Sequence, residues 1–154
     1  MVLSLVPLAL ALVSQFFFHM HPCELCIIQR VPYCVIIFFS LLAFVWPAKR
    51  VFLSSLIVII HAFLINAGIA FYHVGVEKHW WVNQGCSSTL DMSSMEALKA
   101  SLIAANGAHC DQVQFELLGI SMAGWNFVYC IILTIFTVYC LVQYIISQKN
   151  EALK

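Results

Sequence analysis

The chain has very little charge. Only 9% of its 154 residues are Asp, Glu, Lys or Arg, against roughly a quarter in an ordinary soluble domain. Seven basic and seven acidic residues cancel, and none of the basic ones forms a run. That excludes the electrostatic footprint of a nucleic-acid-binding protein. Also missing are a G-x-G-x-x-G, a C-x-x-C-H and any multi-cysteine iron–sulfur spacing, so no dinucleotide, haem or cluster motif marks a resident electron carrier. The first apolar segment has neither a basic n-region nor an A-x-A-like site after it, and it reads as a retained span.

What is present is apolar. Hydrophobic residues make up 63% of the chain, and a single-domain length of this order has too little interior to hide them from water. Four segments, at about 2–20, 25–46, 52–71 and 125–146, reach the ~20 apolar residues that cross a hydrocarbon core of about 30 Å. The predicted fold is an all-α membrane protein, one domain over 1–154, built as a four-transmembrane-helix bundle in membrane lipid.

Charge sets the orientation. Lys49, Arg50, Lys149 and Lys154 share one side, whereas Lys78 and Lys99 are the only basic residues of the opposite loops. The positive-inside rule makes the first side, and both termini, cytoplasmic. The short connection at 21–24 and the long one at about 72–124 then face outwards. Cys23, Cys26, Cys86 and Cys110 fall in that one outer compartment, where disulfides persist.

The long loop carries Ser93-Ser94-Met95-Glu96, which has the form of a capping box. Met95, Leu98, Leu102 and Ile103 follow at helical spacing, and Asn106-Gly107 supplies a stop. A short amphipathic helix is expected there, packed on its own loop or lying in the outer interface. Inside the spans, His61 and Asn66 are expected to face the bundle and hydrogen-bond across it. Cys34, Cys130 and Cys140, also within spans, are expected to act as small hydrophobes without redox chemistry.

Cys23-Glu24-Leu25-Cys26 places a C-x-x-C where a helix opens, and the free N–H groups and dipole of a helix start favour a thiolate. Arg30 stands one turn beyond Cys26, about 6 Å along the axis, on the same face. Its alternatives are snorkelling to headgroups or stabilising negative charge on Cys26 or on something docked there. Cys86 and Cys110 form a structural bridge or a second dithiol that exchanges with the first through mixed disulfides. His19, His21, Cys23 and Cys26 also make a soft cluster of metal-ligating type, although Pro22 restricts the turn around one ion. With no resident carrier motif, electrons reaching the dithiol would leave to a partner or to a membrane quinone.

The stretch Pro22-Cys-Glu-Leu-Cys-Ile-Ile-Gln-Arg-Val-Pro-Tyr33 resembles the P-C-x-L-C-x-x-[QE]-R signature of the DsbB family of bacterial inner-membrane disulfide-bond formation proteins. Tyr72-His-Val-Gly-Val-Glu77, Cys86, Cys110-Asp111 and Phe115-Glu-Leu-Leu-Gly-Ile-Ser-Met-Ala-Gly-Trp-Asn126 extend the likeness along nearly the whole chain. The resemblance implies a thiol oxidase that reoxidises a periplasmic thioredoxin-fold partner of the DsbA type and passes the electrons to quinone, ubiquinone or menaquinone. It implies catalytic roles for Cys23, Cys26, Cys86 and Cys110: Cys86 meets the partner and Cys110 exchanges with Cys23. It places Cys26, Arg30 and His73 at the quinone. His19 and His21 lie outside the signature and are candidates for tuning the pH response.

Two rivals remain at this level. A vitamin-K-epoxide-reductase-like bundle shares four helices, paired cysteines and quinone chemistry, but Gln29-Arg30 and the Ser-Met-Ala-Gly-Trp-Asn run favour the first family. A metal-binding or purely structural four-span protein is the non-enzyme alternative. The sequence does not specify an oligomeric state.

Overall fold

The computed structural model describes residues 2–19, 21–81, 94–96, 110–111, 113 and 115–152. They form α1 (Val2–Phe17), α2 (Glu24–Ile28), α3 (Arg30–Val45), α4 (Lys49–Glu77), a two-stranded antiparallel hairpin of β1 (Glu116–Leu117) and β2 (Ile120–Ser121), and α5 (Met122–Ala152). Among the described residues, three helical stretches are long and apolar enough to cross a membrane: Glu24–Val45, Lys49–Glu77 and Met122–Glu151. The first expected span, 2–20, corresponds to the shorter apolar helix α1. The predicted amphipathic loop helix lies outside the described residues except for Ser94, Met95 and Glu96.

The break between α2 and α3 has a local cause. Pro32 has no backbone N–H to give to the Ile28 carbonyl, so the bond that would tie α3 to the end of α2 is missing and Pro32 falls in the first turn of a new helix, where its ring is tolerated. Gln29 nevertheless keeps helical dihedrals (φ −63°, ψ −17°), so the chain runs on with little change of direction.

Helix α4 is longer than the apolar run that announced it. It spans 29 residues, about 43 Å at 1.5 Å per residue, and continues past the expected end at residue 71 to Glu77. His73 and Glu77, placed by sequence in the outer loop, are therefore helical. The helix stops in a Schellman turn: the Trp80 N–H bonds the Gly75 carbonyl at 2.8 Å and the His79 N–H bonds the Val76 carbonyl at 3.1 Å. His79 takes the left-handed conformation (φ 58°) that this turn requires. The chain then folds Trp81 back over α4. Its indole N–H donates to the Tyr72 carbonyl at 2.9 Å, and its ring covers Gly75 so closely that a Cβ there would lie 2.0 Å from a ring atom.

Helix α4 is the central element, packed against α3 and α5. The core between them is Tyr33 and Ile36, Ile59, Ala62, Phe63 and Ala67, and Cys130 and Leu133. Alanines on the buried face let neighbouring backbones approach, the packing that substitutes in lipid for a hydrophobic driving force. Lys49, opening α4, donates to Gln148 near the end of α5, so the positively charged helix ends lie together, as the charge pattern required.

One in-span expectation is corrected. Asn66 is fully buried, but His61 is exposed on the outer face of α4. Its Nδ1 lies 2.8 Å from the Ile57 carbonyl of its own helix, so a bond within the helix satisfies the ring without a partner across the bundle.

Candidate functional site

Cys23 caps α2, and its sulfur accepts the Cys26 N–H at 3.3 Å. The capping geometry brings the two sulfurs to 3.0 Å of each other, with both thiols free. Cys23 is also 3.6 Å from His73 Nε2 on α4. As a thiolate it can therefore accept from the Cys26 thiol, the Cys26 N–H and the imidazole. Chiefly the Cys26 hydrogen bond, helped by His73 and opposed by burial, pulls its pKa down to about 4. A thiolate at Cys26 is one of the alternatives open for Arg30; within the reduced pair, the hydrogen bonds converge on the Cys23 sulfur.

Cys110 is disulfide-bonded and fully buried, and its sulfur lies within 4.8 Å of both the Cys23 sulfur and a His73 ring nitrogen. Cys86 is outside the described residues. Cys23, Cys110, Leu25 and Val76 pack as one apolar cluster, with Cys26 and Trp81 against it. A disulfide sulfur lacks the thiolate that zinc takes as a ligand, so Cys23, His73 and Cys110 do not form a three-ligand site in this redox state. The structure does not gather His19 and His21 around Cys23 and Cys26 as the metal alternative required.

On its other side the dithiol borders a cavity of about 420 Å³, within the range of small-molecule sites. Its apolar walls include Val6 and Leu10 of α1 and Val128 and Ile132 of α5, and its polar end holds Cys26, Gln29, Arg30, His73 and Glu77. The Arg30 guanidinium donates to Gln15 Oε1 on α1 at 2.9 Å. Its Nε is buried with no acceptor among the described residues. A buried donor left without a partner is costly, and Arg30 lines the cavity. The residues thus fit a quinone in shape, apolarity and donor chemistry.

The sequence brought Cys23, Cys26, Arg30, His73 and Cys110 forward one by one, and the structure assembles them on the two sides of one dithiol. It adds Gln15, Gln29, Tyr33, Glu77 and Asn126, which were not singled out as site residues. Each is a polar side chain in or beside an apolar run, a signal that marks a cost but does not name a partner. Glu77 Oε1 lies 3.8 Å from His73 Nε2. Asn126 and Tyr33 connect to the site through Gln29. Asn126 is carried there by the start of α5, where the Ser121 hydroxyl accepts the Gly124 N–H at 3.1 Å, and Tyr33 by α3. The hairpin before it turns on Leu118 and Gly119, both at positive φ, as a two-residue type I′ connection demands.

Comparison with known proteins points to one family. The family model described as Disulfide bond formation protein DsbB matches residues 1–140. A Disulfide bond formation protein B of Dechloromonas aromatica (strain RCB) is 35% identical over 131 residues, covering 80% of this chain and 76% of that protein. The protein of that name from Herminiimonas arsenicoxydans is 27% identical over 139 residues, with 88% and 87% covered. An uncharacterized Rickettsia prowazekii (strain Madrid E) protein, RP370, is 29% identical over 138 residues, with 87% and 79% covered. With a dithiol, a nearby disulfide and membrane-length helices in one chain, and a family match over most of its length, the protein belongs to the DsbB family of disulfide bond formation proteins.

Proposed function

We propose that this protein is a thiol oxidase of the bacterial inner membrane. It takes electrons from a periplasmic thioredoxin-fold dithiol of the DsbA type and delivers them to membrane quinone. The observation that carries the proposal is the placement of the free Cys23–Cys26 pair between a disulfide sulfur, Cys110, and a cavity with a buried, unpartnered arginine N–H.

The thiol chemistry balances as follows. A partner thiolate attacks Cys86 of a Cys86–Cys110 disulfide, forming a mixed disulfide and releasing Cys110 as a thiolate. Cys110 attacks Cys23 of the Cys23–Cys26 disulfide, giving a Cys23–Cys110 bridge and a Cys26 thiolate. The partner's second thiol then displaces Cys86, which leaves as a thiolate and the partner oxidised. Cys86 reforms its bridge to Cys110 and releases Cys23. Two electrons have moved inwards to Cys23 and Cys26 through thiol–disulfide exchange.

Bound quinone supplies a two-electron, two-proton acceptor. Cys26, Arg30 and His73 would hold it, with the free Arg30 Nε–H available to an acceptor oxygen. Gln15 keeps the guanidinium from turning away, and the walls from α1 and α5 exclude water.

The test is purified protein in lipid nanodiscs with quinone and a reduced thioredoxin-fold dithiol, followed by quinone absorbance. Cys26→Ser and Cys86→Ser should abolish turnover, and full turnover in Cys26→Ser would overturn the proposal. Gln15→Leu should raise the KM for quinone about tenfold, the loss of one charge-assisted hydrogen bond. Dithiol exchange with the partner should be unaffected.

A further inference from the structure

A chain of side-chain hydrogen bonds runs from the bundle core to the Cys23 sulfur, and its polarity can be read from one end. The Tyr33 hydroxyl lies 2.5 Å from the Asn126 side-chain oxygen. The hydroxyl donates in this bond, and an amide nitrogen accepts nothing. The oxygen of the Asn126 amide therefore faces Tyr33, and the Cys130 thiol, at 3.8 Å, points to the same oxygen. The Asn126 nitrogen is left to donate to Gln29 Oε1 at 3.0 Å. The Gln29 nitrogen must then be the atom 3.0 Å from His73 Nδ1. An amide nitrogen only donates, so Nδ1 accepts, and a neutral ring carries its proton on Nε2. That proton is directed at the Cys23 sulfur, 3.6 Å away, with Glu77 Oε1 at 3.8 Å as the neighbouring acceptor.

We propose that Tyr33, Asn126 and Gln29 are positioning residues that fix the tautomer of His73, so that the imidazole donates to the Cys23 sulfur and keeps it a thiolate. In the opposite tautomer Nε2 would present a lone pair to the sulfur and hold Cys23 as a thiol. The ionisable groups facing Cys23 are Cys26 on its own helix and His73 and Glu77 on α4, and the neighbouring Cys110 is held in a disulfide that does not titrate. Of these, His73 is the one whose donor or acceptor character the chain dictates. The consequence rests on the reading of Cys23 and Cys26 as the redox dithiol.

The experiment follows iodoacetamide alkylation of Cys23 against pH in the reduced full-length protein, with mass spectrometry reporting the modified peptide. Asn126→Asp offers only acceptors, so Gln29 must turn its nitrogen to Asp and its oxygen to His73. The alkylation midpoint should rise by about one pH unit, tenfold in the thiolate at lower pH. Tyr33→Phe, which removes only the orienting hydroxyl, should raise it by less. In a His73→Phe background Asn126→Asp should cause no further shift, whereas a charge acting through space would still cause one. A persistent shift in that background, or an unmoved midpoint in Asn126→Asp, overturns the proposal. Should Asn126→Asp fail to fold, an unmoved midpoint in Tyr33→Phe does the same. Alkylation needs neither quinone nor partner, so it judges the tautomer alone, and quinone turnover judges the oxidase alone.

Discussion

The sulfur of Cys23 and the Nε2 of His73 stand 3.6 Å apart although fifty residues separate them in the chain. One caps a five-residue helix and the other rides on a helix that runs past its apolar segment. The contact joins the dithiol to the central helix of the bundle, and it adds to the Cys26 hydrogen bond that chiefly makes Cys23 the more acidic member of its pair.

That acidity has a sign that can be measured. An ordinary thiol titrates near about 8.5, whereas hydrogen bonds from Cys26 and His73 hold Cys23 at about 4. A lowered folded-state value contributes stability that is present above the ordinary thiol pKa and is lost as pH falls through the folded one. In the reduced protein, alkylation at Cys23 should stay nearly constant from about pH 8 to about pH 5 and fall only on further acidification. A tenfold loss per pH unit across that range would mean that the sulfur is an unperturbed thiol.

Gly75 sets how the C-terminal end of α4 meets the cysteine cluster. A Cβ there would sit 2.0 Å from the Trp81 ring, and that ring packs against Cys23, Leu25, Val76 and Cys110. Gly75→Ala should cost about 1–3 kcal/mol, as overpacking does, measured by thermal unfolding in detergent. It should also slow exchange between Cys23 and Cys110. Gly75→Ala with Trp81→Ala should cost less than the sum of the two, because they share one contact. Strict additivity would show that Trp81 does not press on this glycine.

The cysteines within the spans differ from one another. Cys34 is exposed, and Cys34→Ala should change stability by no more than about 0.5 kcal/mol and leave turnover unaltered. Cys130 is fully buried and receives the Asn66 side-chain N–H at 3.4 Å. Cys130→Ala leaves that donor without an acceptor and should cost about 1–3 kcal/mol in the same unfolding experiment. Equal midpoints for the two variants would remove the hydrogen bond from the account.

Much of this architecture was legible in the chain. Apolar runs announced three membrane-length helices and α1, and the lysine and arginine pattern matched the ends that Lys49 and Gln148 bring together. Helix ends were harder to see. Tyr72 to Glu77 is polar enough to look like loop, yet a Schellman turn and Trp81 carry α4 through it. Parity placed Cys110 and Cys23 in one compartment but gave no distance, because nothing in a one-dimensional pattern measures how a loop returns. Gln15 and Asn126 showed only that a polar group had been committed to an apolar segment. Their partners, Arg30 on another helix and Gln29 across the bundle, depend on how helices rotate about their axes. His61 shows the limit of that inference: a bond within its own helix left it free to face outwards.

The hydrogen bonds among Tyr33, Asn126, Gln29 and His73 also bear on how the bundle assembles. In lipid, one apolar helix face is nearly as good as another, so helices could slide past one another at little cost. Here α3 and α5, the residue joining α2 to α3, and α4 each contribute a group to one continuous string. A displacement of any helix by a single turn, about 5.4 Å, would break every link to its neighbours and strand buried donors. The string acts as a vernier for the bundle, selecting one vertical alignment among many of nearly equal packing. The same alignment is the one that levels His73 with Cys23.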